Sequence, residues 1–436
     1  MEEKNINAVP APAKKRVDAD SEAERLLQLE MSLKDSSKIA NWLTTVLAMA
    51  FIFIFAIMFW IVPDREFTSE ETGLKMFPEF TKETFLSGEF TSEFGEYMAD
   101  QFPARKFFIG LKAASETVQL KQLNNDTFII GDFLVARNDY PSESILNTNI
   151  SSAAKFASAA EKKGIQVVAA FAGRKMDVYD NKLPSYYGSY YSDLIWSKLD
   201  AIAVEGGLEY INLRESLRGR AEEDDGLYYN SDHHWTSHGA YLAYCEVIKQ
   251  LGEEPYSEED FRIETVTDEF YGTTWSAAGT KWTKGDTIEY YLIDGDEDYT
   301  MKIVDKSGEF EGLEGFTRVK EDGTEYAVCN GFYVEKFLSE KDKYASFIGG
   351  NHGITKITKN TDEERETLLI VKDSFSHSMV PFLARHYDLV LVDLRYYPTS
   401  MLRYAETNEI DKVLLLYNME TLTEAAYLKY LQIGAK

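Results

Sequence analysis

Cysteine is almost absent from this sequence: 436 residues hold two, Cys245 and Cys329, far apart and outside any C-x-x-C. Two thiols build neither a disulfide framework nor a four-cysteine metal site, so the fold must rest on a packed core. Two free buried thiols are the plainer reading, and the spacing does not show whether they pair. Basic residues are also in short supply. There are 46 Lys and Arg against 73 Asp and Glu, a net charge of −27. That balance offers no general surface for releasing counterions from phosphates, which argues against nucleic acid as a partner. It also disfavours a polyanionic substrate, unless one basic cleft overrides the average. What is plentiful is apolar and aromatic: 44% and 14% of the chain, enough to bury a sizeable core. Aromatic faces suit sugars, but they also fill cores. At this length two or three globular units are expected.

One stretch has no charge at all. Residues 41–62 read NWLTTVLAMAFIFIFAIMFWIV, 22 residues with Trp42 and Trp60 near the ends. At 1.5 Å per residue the run covers a hydrocarbon core of about 30 Å. It is too long, and starts too far into the chain, for a cleaved signal peptide, so it reads as an uncleaved single-pass anchor. Lys14, Lys15, Arg16, Arg25, Lys34 and Lys38 precede it, and the largely acidic PDREFTSEETG follows. The positive-inside rule then places the 1–40 tail, its first part disordered, in the cytoplasm and the rest of the chain outside the cell membrane.

Residues 63–125 carry amphipathic helical patterns and form a connecting region. TFIIGDFLVAR then splits two apolar runs at Gly131-Asp132, a hairpin signal. Through residues 126–255 the rhythm is β/α: SAAKFASAAEKKG as a helix stopped by Gly164, IQVVAAFAG as a buried strand, SYYSDLIWSKLDAIAVEGG as a helix, LEYINLR as a strand, and TSHGAYLAYCEVIKQLG as a helix. Alternation of this kind predicts an α/β fold with a parallel sheet flanked by helices. Residues 256–363 break the rhythm with short aromatic strands and read as a β-rich, mostly antiparallel insertion. The rhythm resumes in 364–436, where three apolar strands end at Lys372, Asp393 and Tyr417. Ligands of open α/β sheets bind beyond the carboxyl ends of such strands, which draws attention to Ser374, Arg395 and Asn418.

Three of the six histidines fall in NSDHHWTSH, residues 230–238, and His377 lies beside Ser374. A serine becomes a nucleophile when a histidine takes its proton and a carboxylate holds that histidine. In an extended segment Asp232 and His234, two apart, face the same way. Ser374 sits on a strand-to-helix turn, where backbone N–H groups suit an oxyanion and Asn418 could add a donor. A metal reading uses His234 and His238, four apart, but lacks the glutamate of H-E-x-x-H; with Thr236 or Ser237 as the helix cap, His234 falls outside the helix. In the plainest reading Asp232, Thr236 and Ser374 are caps and the histidines pack.

These blocks resemble a known family. NSDHHWTSHGAYLAY carries the Asp-His-His-Trp string of the DHHW family, and VKDSFSHSMVPFLARHYDLVLVDLRYY is similar to its second block. Both resemble the SGNH-like alginate and polysaccharide O-acetyltransferases, as do DQFPARKFF and AGRKMDVYDNKLPSYY, so that the likeness runs over residues 95–436 outside the insertion. It implies an SGNH-hydrolase-like sheet and a triad of Asp232, His234 and Ser374, with His233 at the variable place between. Arg174 and Lys175, past a predicted strand end, either line the site or are solvated. Lys372 stands where a standard SGNH serine block, G-D-S, has glycine, and the order is permuted, with the base before the nucleophile.

The implied activity is an extracellular O-acetyltransferase that passes an acyl group through Ser374 to a polysaccharide hydroxyl, with no cofactor and no metal. Because acetyl-CoA is cytoplasmic, it implies a multi-pass membrane partner that exports the acyl group. The same triad with water as acceptor would be a carbohydrate esterase. A non-catalytic glycan-binding scaffold, with the aromatic insertion as its surface, is the third reading.

Overall fold

The computed structural model describes residues 19–65, 74–137, 141–280, 282–304, 313, 315–321 and 323–432. The expected disordered start of the tail lies outside them. The described residues form two compact units, one within 19–105 and the other within 106–432.

In the first unit, α1 (Ala19–Ile61) contains one segment, Ser37–Ile61, long and apolar enough to cross a membrane by length and composition. Its side chains are almost all exposed, unlike those of a core helix. Two short helices follow, α2 (Lys82–Ser87) and α3 (Glu89–Asp100). Thr81 and Thr84 close a reciprocal cap at the start of α2, and Gly88, at φ 82°, separates the two helices in a conformation that favours glycine. The chain leaving α1 is tied to the end of α3. Gln101 exchanges two hydrogen bonds with the Arg65 backbone, and the Tyr97 hydroxyl donates to Asp64.

The helix Arg105–Val118 leads into the second unit, where a small antiparallel sheet follows, of β1 (Leu123–Asn124), β2 (Thr127–Ile130) and β3 (Phe133–Ala136), turning at Gly131-Asp132. Its main sheet starts with β4 (Gln166–Ala172) and β5 (Ile211–Asn212). A separate antiparallel ribbon joins β6 (Arg262–Phe270) to β7 (Asp286–Leu292). The chain then adds β8 (Tyr299–Val304), β9 (Thr317–Glu321), β10 (Thr324–Asn330) and β11 (Ile354–Lys359), and finally β12 (Thr367–Lys372), β13 (Asp388–Val392) and β14 (Lys412–Asn418). The nine-stranded order is β5-β4-β14-β12-β13-β11-β8-β10-β9.

The sheet is mixed rather than parallel throughout. Its first five strands in that order pair in parallel, and β11, β8, β10 and β9 join antiparallel beyond β13. Most strands of the 256–363 stretch therefore extend the main sheet, where they satisfy the backbone groups that β13 would otherwise leave bare at an edge. A second difference is LEYINLR. Only Ile211–Asn212 is strand, because the Asn212 side chain caps the Glu215 N–H and starts a helix, Leu213–Arg218.

Burial alternates along the parallel strands. Leu368 and Ile370 of β12 face one core with Ala240, Tyr244 and Val247 of the helix Ser237–Gln250. Leu369 and Val371 face the other, with Ile150 and Phe156 of Glu143–Glu161 and Trp196 of Gly188–Gly206. Both faces are covered, which is why these strands read as continuous apolar runs. Cys245 and Cys329 are free and half-buried.

Candidate active site

Parallel pairing brings the carboxyl ends of β4, β12, β13 and β14 to one edge. Asp373, just past β12, joins two of them: its Oδ1 accepts from the Phe375 N–H at 3.0 Å and its Oδ2 from the Asn418 N–H at 2.7 Å. Ser374 follows, half-buried, as the first residue of a 3-10 helix running to Met379. The histidine segment approaches from before the helix Ser237–Gln250. Thr236 caps that helix by accepting from the Gly239 N–H at 3.1 Å, so His234 stays outside it. Trp235 is fully buried and donates through Nε1 to the Phe375 carbonyl at 2.9 Å, linking the two segments directly.

Asp232, His234 and Ser374 come together. His234 Nε2 lies 2.7 Å from Ser374 Oγ, and its Nδ1 lies 2.6 Å from Asp232 Oδ1. With the proton on the nitrogen facing the carboxylate, Nε2 presents a lone pair to the serine hydroxyl. Asp232 also accepts the His234 N–H at 3.0 Å, and its other oxygen takes the Thr273 N–H at 2.8 Å and hydroxyl at 3.0 Å. Burial opposes ionisation of Asp232, but the two neighbouring histidines and their hydrogen bonds hold its pKa well below the usual carboxylate value. Burial, then the His233 charge, push His234 down to about 4 against the pull of Asp232. Burial also opposes the His233 charge, yet the nearby Asp232 carboxylate prevails and raises it to about 9.

The remaining candidates divide. His233 stays partly exposed, with Nδ1 at 2.8 Å from the Thr273 hydroxyl and 3.4 Å from Asp232. Asn418 is not a free donor, which corrects the expectation for it. Its side-chain NH₂ donates to the Gly173 carbonyl at 2.8 Å, and its oxygen caps the Glu420 N–H at 2.9 Å. The Phe375 N–H, expected at the open helix end, is likewise taken by Asp373. Arg395 forks onto Asp393 through Nη2 at 2.7 Å and Nε at 3.0 Å, and reaches Asn351 at 3.0 Å. Arg174 and Lys175 are buried, not solvated. Arg174 is spent on Asp177, at 2.7 Å. Lys175 Nζ donates to three carbonyls, Leu134 at 2.5 Å, Tyr229 at 2.6 Å and Asn230 at 3.0 Å. Both nevertheless line a small cavity with Val135, Met176, His233 and Glu420.

Ligand-capable atoms of Asp232, His233 and His234 lie within 4.8 Å of one another. Both His234 nitrogens are already engaged by Asp232 and Ser374, so an ion there would have to displace the serine. His238 does not share a ligand position with His234: its nitrogens face Asp224 at 3.0 Å and Glu258 at 3.1 Å.

The insertion supplies partners that the sequence did not reveal. Asp286 of β7 takes the N–H groups of Asn230, at 2.8 Å, and Ser231, at 2.6 Å, and the Ser231 hydroxyl at 2.5 Å. Gly272 passes so close to Asp232 that a Cβ would fall 2.2 Å from its carboxylate. Tyr344 stacks on His234, with centroids 4.0 Å apart. Under the serine turn, Lys372 Nζ lies 2.6 Å from His377 Nε2 and 3.7 Å from Asp393, all buried; burial pulls the lysine down to about 8, with Asp393 resisting. Gly272, in FYGTT, was the one local signal, since an isolated glycine in a strand-like run marks a bulge or a close backbone approach.

Residues 196–393 match the family model described as DHHW protein. The DHHW family resemblance seen in the sequence therefore stands, and the matched span takes in the insertion. A DHHW family protein from Eubacterium siraeum has a similar structure, at TM-score 0.54 and 18% identity, covering 71% of this chain and 98% of that one. Bacillus cereus PatB1, solved with a sulfonyl adduct, is similar at TM-score 0.56 and 18% identity, covering 69% of this chain and 97% of that one. At this identity the likeness is one of fold. No curated protein sequence matches the chain.

Proposed function

We propose that this protein is an extracytoplasmic, SGNH-like O-acyltransferase acting on carbohydrate hydroxyls, anchored in the membrane by the span Ser37–Ile61. The contiguous Asp232–His234–Ser374 hydrogen-bond chain carries this reading. His234 Nε2 takes the Ser374 proton as Oγ bonds the acyl carbonyl carbon. The leaving group departs with that proton, and an acyl ester remains on Ser374. A sugar hydroxyl then gives its proton to His234 and its oxygen to the acyl carbon, and the Ser374 oxygen leaves and regains a proton. The Ser374 N–H donates to no group among the described residues, so it is the proposed oxyanion donor in place of Asn418.

The sequence resemblance to polysaccharide O-acetyltransferases supports the acyl group and acceptor class. The sulfonyl adduct of PatB1 is consistent with an activated nucleophile on this fold. The acyl group is proposed to arrive from a multi-pass membrane partner. The test uses the full chain in detergent with 4-nitrophenyl acetate, beside Ser374→Ala and His234→Ala. An acetyl adduct by intact mass that both variants lack supports the reading, and equal behaviour of all three sinks it. Acetyl transfer to an added oligosaccharide, as opposed to release as acetate, separates transferase from esterase.

A further inference from the structure

Exposed apolar side chains are not spread evenly over the described residues. In the first unit Met76, Phe77, Phe80, Phe85, Leu86 and Met98, beyond the apolar helix, are each at least 45% exposed within 23 residues; in the second unit Phe107, Leu111, Val118 and Leu120 are exposed near its start, whereas the described part of residues 141–432 exposes seven large apolar side chains. So dense a patch marks a binding surface, because water alone disfavours it.

The patch belongs to a chain of rings that starts on the apolar helix itself. Phe55 of α1 stacks on Phe102 with centroids 5.3 Å apart, and Phe59 meets Tyr97 edge-on at 5.5 Å. Tyr97 meets Phe77 at 5.3 Å, and Phe77 meets Phe90 at 6.4 Å. Phe90 meets Phe80 at 5.0 Å, and Phe80 meets Phe85 at 5.7 Å. All of these residues lie in the first unit. Phe55 stands six residues before Ile61, or about 9 Å along the helix at its ordinary rise. If α1 spans a bilayer, the Phe102 and Tyr97 rings therefore sit near the boundary between acyl chains and headgroups. On α3, Phe90, Phe94 and Tyr97 share one face by helical spacing, while exposed Ser92 and Glu96 fall on another. Lys75 and Glu96 pair at 3.4 Å, both more than half exposed. Short helices with one aromatic face and one charged face suit the plane of a membrane interface.

We infer that residues 76–98 form an interfacial seat whose Phe80, Phe85 and Leu86 side chains enter the lipid beside the outer end of α1. The inference rests on the membrane-anchor reading above. It commits to lipid as the occupant, because the ring chain continues without a break from the apolar helix.

The full chain, carrying Cys245→Ala and Cys329→Ala, would be reconstituted in phosphatidylcholine vesicles. Spin labels would be placed singly through Phe80→Cys, Leu86→Cys, Ser92→Cys and Ile52→Cys, with Phe85→Cys as an independent second site in the patch. Accessibility to oxygen and to a water-soluble nickel chelate is then read. The expected result is an oxygen-to-nickel ratio at 80, 85 and 86 several-fold above that at 92 and below that at 52. Nickel access at 80, 85 and 86 equal to that at 92, with 52 still in lipid, overturns the seat alone. Nickel access at 52 overturns the anchor reading and the seat with it. Labels at 80, 85 and 86 shielded from both reagents report protein contact and also overturn the seat.

Discussion

The phenol ring of Tyr344 lies flat on the imidazole of His234, 11° from parallel, and its hydroxyl donates to the Ser374 carbonyl at 3.2 Å. One side chain from the insertion thus braces both the proposed base and the nucleophile's backbone. Tyr344→Phe keeps the stack and loses the hydrogen bond, so kcat should fall roughly threefold to tenfold. Tyr344→Ala frees the imidazole and should cost about a hundredfold in kcat, because reacting groups lose alignment. Steady-state hydrolysis of 4-nitrophenyl acetate measures both, with KM expected to change little.

The two adjacent histidines predict an unusual pH profile. Under the proposed reaction turnover needs neutral His234, whose pKa is pushed down to about 4, so the acid limb of kcat/KM should fall near pH 4 instead of near the ordinary 6.5. His233, raised to about 9, carries a positive charge through neutral pH and helps hold His234 neutral. His233→Gln removes that charge and makes protonation of His234 easier. The acid limb should therefore move to higher pH. A limb that stays in place would show that His233 does not influence the base.

Asp232→Asn keeps the shape of the carboxylate but loses its charge and presents an amide to His234 Nδ1. Under the proposed reaction kcat should drop on the order of 10³- to 10⁴-fold, the scale seen when a triad carboxylate is neutralised. Circular dichroism should remain that of the parent, which separates lost chemistry from lost fold.

Gly272→Ala tests a close approach. The added methyl would meet Asp232 Oδ2 at 2.2 Å, although Gly272 itself has an ordinary φ of −82°. The carboxylate must move, so activity should fall about a hundredfold through misplacement of the triad. Melting temperature should shift much less than for a core truncation.

Lys175→Ala takes their donor from the carbonyls of Leu134 and Tyr229, while the Asn230 carbonyl keeps the Leu134 N–H at 3.0 Å. Stranded buried polar groups cost about 1–3 kcal/mol each, partly relieved by entering water. A loss of roughly 2–4 kcal/mol in unfolding free energy is expected, measured by urea titration.

The parallel half of the sheet and the place of the serine turn were readable because they depend on local periodicity and on where apolar strands end. The cap at Thr236 was equally local, and it settled that His234 lies outside the helix. Contacts across long stretches of chain were not readable. Nothing near Asp286 or Tyr344 in sequence announces Ser231 or His234 as a neighbour. Likewise, β8 and β11 look like members of an independent module until they pair with each other and β11 with β13. Asn418 misled for a related reason. It stands at the right strand end, but its amide is needed to close the Gly173 carbonyl and start the next helix.

The grip of Asp286 on Asn230 and Ser231 bears on how such proteins can be recombined. A segment that holds the Asp-His pair in register is not cargo that can be exchanged for another surface module. A chimera that replaced residues 256–363 wholesale would keep Asp232, His234 and Ser374 in its sequence yet leave the loop bearing two of them without its clamp. Grafts should therefore retain the β6–β7 ribbon and Tyr344, and take their variation at β9 and β10, on the far edge of the sheet.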